Sequence, residues 1–204
     1  FHRSLKSYSV SKLHSLASLA KNLGVKNIFV KDESTRFGLK AFKGLGTSYA
    51  VVHSLKENQD IQTFCTATDG NHGKALAWSA GLAKKNAVIV IPKHTTEARI
   101  KAIEAKKAQV IRFDGNYDEA CLYAEELSKQ DGWKLIQDVA WDGYEEIPAQ
   151  IMSGYLSIFK EMENDLHSLD EPKMDIVFLQ AGVGSFASSA VWYYLNRYGI
   201  KKPK

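Results

Sequence analysis

Short apolar runs alternate along the chain with longer segments whose apolar residues recur every three or four positions. Runs of strand length fall at 28–31, 63–67, 87–91, 110–113, 134–137 and 176–179. Segments with helical spacing fall at 41–55, 71–83, 96–107, 117–131, 147–166 and 185–197. Ile100, Ile103 and Ala108 share one helical face, as do Ala120, Ala124 and Leu127. Thr95-Thr96 and Gly115-Asn116 precede those two segments, where such residues suit a turn or a cap. Repeated strand–helix alternation predicts an α/β fold, a parallel sheet with helices on both faces. Such sheets bind ligands beyond the carboxyl ends of their strands, where helix N-termini point. The strand-to-helix junctions are therefore the places to look for chemistry.

Composition narrows the class. The 204 residues are 45% hydrophobic and 25% charged, enough apolar material for one large domain or two small ones. The net charge of +4 is spread out, and the one dense basic tract is Lys201, Lys202 and Lys204. Without a basic stripe or an aromatic–basic motif, a nucleic-acid partner is not expected. The longest apolar run, 87–91, ends at Pro92 and is far too short to span a membrane. Cys65 and Cys121, the two cysteines, lack metal-ligand spacing. They read as buried free thiols of a reducing, cytoplasmic compartment, and no metal site is expected.

Three junctions are polar and glycine-rich. In the first, Lys43 enters a helix after a loop, with Phe42 beside it. A lysine at the mouth of an α/β cleft can act as an imine-forming nucleophile, although a lone helix-end lysine is far more often simply solvated. The second is Thr68-Asp69-Gly70-Asn71-His72-Gly73. There Gly70 permits a tight turn, Asn71 can cap a helix, and successive backbone N–H groups can take a carboxylate. A cap without a ligand is an equal reading. His72 suggests a general base, but Asp69 ranks higher, since a histidine beside a glycine turn is more often structural. The third is Gly182-Val183-Gly184-Ser185 at a helix start, an arrangement that cradles phosphate. Ala187 stands where a dinucleotide fingerprint has its third glycine, so a mononucleotide or cofactor phosphate is the better expectation.

Taken together and in this order, these junctions resemble the fold type II pyridoxal-phosphate enzymes, which include serine and threonine dehydratases and the tryptophan synthase β-subunit. Within that family, the segments 36–43, 68–73, 137–148 and 180–187 are similar to the diaminopropionate ammonia-lyase group. The likeness covers nearly the whole chain. It implies pyridoxal 5′-phosphate bound covalently by Lys43, with Phe42 packed near it and Asn71 bonded to its phenolic oxygen. Gly182, Val183, Gly184 and Ser185 would hold the phosphate. The loop carrying Thr68, Asp69, Asn71 and His72 would bind a small amino-acid substrate through its carboxylate. Catalysis would rest on Lys43, Asp69 and Asp138. Asp69 stands where hydroxyamino-acid dehydratases of this fold tend to have Ser or Ala, a change suited to a substrate with a second ammonium. Asp138 resembles a second acidic residue of that site, while read alone it is equally a loop cap.

The implied reaction is α,β-elimination of 2,3-diaminopropionate to pyruvate and ammonia, with serine or threonine dehydration as the alternative. The implied architecture has two lobes with mostly parallel sheets. Residues 1–60 and 147–204 would belong to the cofactor lobe and 61–146 to a smaller α/β lobe, in a cytoplasmic homodimer with neither nucleic-acid nor membrane partners. Two departures stand out. The stretch 51–62 is shorter than the family pattern, and the family's C-terminal part of the large lobe, beyond the phosphate turn, is missing from this sequence. This chain is therefore expected to be part of a longer enzyme, or else a non-catalytic cofactor-binding or interaction fragment. Tyr193, Tyr194 and Tyr198 are expected to pack against that further segment.

Overall fold

A computed structural model describes residues 1–171 and 173–204. Its first strands are β1 (Lys12–Ser15) and β2 (Phe29–Asp32), which pair antiparallel on either side of the short helix α1 (Ala17–Leu23). β1 and α1 went unmarked by the hydrophobic pattern because they bury so little: both ends of β1 are exposed, and α1 buries Ala20 alone.

The main sheet follows helix α2 (Lys43–Glu57). Along the chain come β3 (Thr63–Ala67), α3 (Asn71–Leu82), β4 (Asn86–Pro92), α4 (Glu97–Glu104), β5 (Gln109–Phe113), α5 (Tyr117–Gln130) and β6 (Lys134–Leu135). The strands are all parallel, in the order β5-β4-β3-β6. Side chains of a strand alternate between faces, and here that alternation builds two cores. Phe64, Ile89 and Ile91 pack with Leu76 of α3 and Leu45 of α2. Cys65, Ala67, Val88 and Val90 pack on the other side with Ala120 and Ala124 of α5. Of the expected faces, Ile100, Ile103, Ala120 and Ala124 are buried and Leu127 is half-buried, whereas α4 ends before Ala108. Asn116 caps α5 through a reciprocal pair of bonds with Glu119, satisfying two N–H groups that the first turn leaves free.

Helix α6 (Glu146–Ser168) carries Ile147, Ile151, Tyr155 and Ile158 as one buried stripe and lies along α2. The two helices meet at glycines. A Cβ on Gly46 would reach to 2.7 Å from the Tyr155 ring, and one on Gly154 to 2.8 Å from the Cα of Gly46. Helix α7 (Ser185–Tyr198) packs on α6 through Phe159, Ala190 and Tyr194. Buried Glu163 of α6 ties the two together, accepting from Arg197 Nε at 2.5 Å and from Tyr193 OH at 3.0 Å. No helix among the described residues is long and apolar enough to cross a membrane.

Three expectations need correction. Segment 176–179 is not a strand: among the described residues its backbone pairs with the tail alone, Val177 N–H donating to Lys204 O and Lys204 N–H to Asp175 O, and Phe178 is 91% exposed. An apolar run becomes a strand only beside a partner ladder. Tyr193, Tyr194 and Tyr198 already have partners among the described residues: Tyr194 packs on Phe159, and the hydroxyls of the half-buried Tyr193 and Tyr198 reach Glu163. The outward residues of α7 are instead Val191, Trp192 and Leu195. Finally, Gly70 is the cap residue of α3 and Asn71 its first helical residue.

Candidate active site

Lys43 is delivered to the start of α2 by an anchored loop. Arg36 is 1% exposed. Its guanidinium donates to Glu33 at 2.7 and 2.8 Å, to Glu161 of α6 at 2.7 and 2.9 Å, and to Ser9 O at 2.8 Å. Burial raises the Glu161 carboxyl, but the Arg36 and Tyr8 hydrogen bonds outweigh it and hold that carboxyl below its ordinary value. Breaking a buried pair like this one costs about 3–5 kcal/mol, so the loop's root is fixed. From there Phe37 adopts a left-handed φ of 52° and stacks on Trp78 at 4.5 Å, and Leu39 is buried. The chain then turns into α2 with the Lys43 side chain 20% exposed.

The second junction sends neighbouring residues to opposite sides. Thr68 N–H extends the ladder to Val90 O, and Thr68 Oγ1 accepts from Gly70 N–H at 3.1 Å, bracing the turn. Asp69 faces outward and accepts from Arg99 Nη1 of α4 at 3.0 Å. Asp69, Gly70 and Asn71 line a cavity of about 310 Å³ together with Lys74, Arg99 and Ile103. His72 turns inward and is buried, its Nε2 donating to Ile136 O at 2.8 Å.

Asp138 is held by an unusual strand end. The ladder of β6 continues to Ile136, whose N–H donates to Cys65 O. The fully buried Gln137 side chain then takes over: Oε1 accepts from Ala67 N–H at 3.0 Å and from Thr66 Oγ1 at 2.7 Å, while Nε2 donates to Ala67 O. An amide thus replaces a backbone peptide beside β3, and Asp138 is set just beyond the strand ends. Its Oδ2 accepts from Lys43 Nζ at 2.6 Å. Burial raises the Asp138 carboxyl, yet Lys43, through its charge and its hydrogen bond, helps hold it net below its ordinary value. His72 Nδ1 stands 3.5 Å from the same oxygen, beyond hydrogen-bond range, and has no hydrogen-bond partner among the described residues. Burial lowers the His72 pKa, outweighing the attraction of Asp138, so the ring is neutral with its proton on Nε2. A buried acceptor left bare costs about 1–3 kcal/mol.

The third junction closes on the same residue. Ser185 Oγ donates to the backbone carbonyl of Asp138, and Phe186 lies 4.4 Å from the Phe42 ring. Phe42, Phe186 and the buried Tyr155 form an aromatic wall, with Lys43 Nζ 5.6 Å from the Phe42 ring and 5.8 Å from that of Tyr155. Space is open over Gly182 and Gly184, and Gly184 sits at φ 96°, which favours glycine. The first-turn N–H groups of α7 have no helical acceptors. A phosphate-bearing cofactor whose aldehyde meets Lys43 fits this set: bare N–H groups for the anion, an aromatic wall for a ring, and an amine within reach.

The structure thus brings Lys43, Phe42, Asp138, His72 and Ser185 together, with Gly182, Val183 and Gly184 opening beside them. It places Asp69 and Asn71 on the outer side of their turn, and Thr68 as a brace beneath it. Gln137, Tyr155, Phe186 and Arg99 were not singled out from the sequence. Tyr155 carried a signal, since it falls on the apolar stripe of α6. The roles of Gln137 and Arg99 depend on partners 70 and 30 positions away.

The family model of pyridoxal-phosphate dependent enzymes matches residues 6–204. Diaminopropionate ammonia-lyase of Salmonella typhimurium is 42% identical over 218 residues, covering 97% of this chain and 54% of that protein. A crystal structure of the Escherichia coli diaminopropionate ammonia lyase, in complex with an aminoacrylate-PLP azomethine reaction intermediate, is 39% identical. It superposes with a TM-score of 0.93, covering 97% of this chain and 54% of that one. The biosynthetic threonine dehydratase of Haemophilus influenzae is 30% identical over 179 residues, covering 88% of this chain and 32% of that protein. The chain therefore spans about half the length of the ammonia-lyases it matches.

Proposed function

This chain belongs to the pyridoxal-phosphate dependent enzymes, and we propose that it carries the cofactor lysine and the acid–base groups of a lyase that converts 2,3-diaminopropionate and water to pyruvate and two ammonia molecules. The observation that carries this reading is the 2.6 Å contact of Lys43 Nζ with Asp138 Oδ2, made where the starts of α2 and α7 converge. The 42% identity with an ammonia-lyase, against 30% with a dehydratase, supports the substrate class.

When bound, the cofactor supplies an electron sink for charge developing at the substrate α-carbon. The chain's residues do the rest. The N–H groups of Gly182–Ser185 bind the phosphate at the start of α7. Phe42, Phe186 and Tyr155 exclude water from one side of Lys43. Lys43 holds the cofactor and then, released by substrate, moves the α-proton, with Asp138 accepting from its amine. The loop Thr68–His72, with Asn71 at the head of α3, receives the substrate carboxylate. Asp69 pairs with the β-ammonium or exchanges the α-proton of one enantiomer. Its present partner Arg99 does not prevent this, because exposed ion pairs are worth about 0–1 kcal/mol and both side chains are more than half exposed. On the same reading, residues 1–60 and 147–204 form the cofactor lobe and 61–146 the smaller lobe of a cytoplasmic homodimer. The outward Val191, Trp192 and Leu195 support further packing on α7.

The test compares D- and L-diaminopropionate with serine in the full-length protein. Lys43→Ala abolishes the visible cofactor band and turnover. Asp69→Asn lowers kcat/KM for diaminopropionate on the order of a hundredfold, the scale of losing a charge-stabilising group, with the larger loss on one enantiomer. Equal losses on all three substrates would assign Asp69 to loop shape. Wild-type turnover of serine or threonine alone would make the protein a dehydratase.

A further inference from the structure

We propose that His72 is the terminal proton acceptor for Lys43: the proton that the Lys43 amine sheds passes through Asp138 Oδ2 to the bare Nδ1 of His72. This rests on the reading of Lys43 as the cofactor lysine.

The geometry has three parts. Lys43 Nζ and His72 Nδ1 approach the same oxygen of one buried carboxylate, at 2.6 and 3.5 Å. The Ile136 carbonyl can only accept, so it keeps a proton on His72 Nε2 and leaves Nδ1 as a lone pair. That lone pair is buried in a residue 4% exposed, has no hydrogen-bond partner among the described residues, and lies 3.5 Å from a carboxylate oxygen. Two lone pairs facing each other in a dry site are an arrangement waiting for a proton.

Transfer balances within the cluster. Before it, Lys43 is an ammonium, Asp138 a carboxylate and His72 neutral. After it, Lys43 is a free amine, Asp138 is again a carboxylate and His72 is an imidazolium. One N–H bond breaks at Nζ, one forms at Nδ1, and the summed charge is unchanged. Each group ends satisfied: His72 donates through Nε2 to Ile136 O and through Nδ1 to Asp138, after a closure of a few tenths of an ångström. Lys43 is left as the unprotonated amine that a nucleophile or base must be. Burial and the Lys43 charge hold His72 neutral at rest; once Lys43 sheds its proton that charge is gone, and the Asp138 carboxylate draws the proton to Nδ1 without its opposition.

Asp138 and Lys43 are the charged groups that bear on the ring. The other titratable groups near Asp138 are Tyr155 of α6, Tyr117 and Cys121 of α5, and Tyr144. Burial raises all four, so they stay protonated and do not compete. His72 is a positioning residue, acting on the reaction through Asp138 and Lys43.

Two measurements test this, neither of which needs a substrate. The first is the rate at which cofactor-stripped full-length protein takes up pyridoxal phosphate, followed by its visible band against pH. His72→Gln keeps a donor for Ile136 O but cannot hold the proton. Its uptake rate falls about tenfold near pH 7 and recovers to the wild-type plateau in alkali, because the half-rate point has moved up by about one unit. A loss equal at every pH, or no loss, would overturn the relay. The second is nitrogen NMR of labelled histidine. In Lys43→Met protein, His72 carries protons on both ring nitrogens near pH 7, and adding Asp138→Asn returns it to the neutral Nε2–H form. A bare Nδ1 in Lys43→Met would also overturn the relay. Failure of wild-type Lys43 to capture the cofactor would refute the proposed function instead, and the NMR comparison would still decide the relay.

Discussion

Replacing Gly154 with alanine tests whether the α2–α6 crossing holds Lys43 in place. The added methyl would lie 2.8 Å from Gly46 Cα and 2.9 Å from the Leu45 carbonyl carbon, and closer still to the Leu45 oxygen. Carbon atoms pack best at about 3.5–4.0 Å, so the helices must part by roughly 1 Å. All three obstacles are backbone atoms, which no rotamer change can move. Overpacking costs about 1–3 kcal/mol, and rigid obstacles place this case at the upper end. Alanine regains up to about 1 kcal/mol of helix propensity, leaving a net loss of about 2 kcal/mol. For a chain of this size that lowers Tm by about 4–8 °C. Gly81→Ala is the control: it is also helical, but nothing lies within 4 Å of its added Cβ, so it should melt at or slightly above wild type. The same displacement pulls the start of α2 from Asp138, so Gly154→Ala should also bind pyridoxal phosphate more weakly at temperatures where its circular dichroism is native. If Gly154→Ala and Gly81→Ala melt alike, the close crossing is not what positions α2.

At the phosphate turn, Gly182→Asp should weaken cofactor binding by about tenfold or more, because it sets an anion against the N-terminus of α7. Gly182→Ala, with equal open space and no charge, should stay near wild type, and matching titrations for the two would reduce the turn to a simple bend. Glu163 governs acid stability. Burial raises its carboxyl, but bonds from Lys160, Arg197 and Tyr193 outweigh it and bring the pKa down to about 2, against about 4.3 unfolded. A depressed folded value stabilises above the unfolded one, and the gain is lost as pH falls from about 4.3 toward 2. Glu163→Gln should therefore lose about 2 kcal/mol at neutral pH, the scale of charged hydrogen bonds, and show a flatter acid limb in urea titrations. An unchanged acid limb would contradict the assignment.

The strands and helices of the main sheet were legible in the sequence because period is a local property. Phe64 against Cys65, and Ile89 against Val88, declare two buried faces whatever their neighbours prove to be. The positions of the junctions were legible for a related reason, since a lysine at a helix start and a Gly-Val-Gly-Ser turn before a helix are set by local backbone geometry. The run 176–179 has a strand's composition but is not one, because a strand is defined by a partner, and among the described residues the tail alone pairs with it. Arg36 shows the same limit: nothing in its surroundings along the chain foretells a guanidinium buried against Glu161, 125 positions away. The meeting of Lys43, His72 and Asp138 belongs wholly to the tertiary structure. His72 and Asp69 are three residues apart, yet one faces the core and the other solvent. That is because α3 begins between them, and because Gln137 of a distant strand end, by imitating a peptide beside β3, sets a carboxylate where the inward side chain and the lysine must share it.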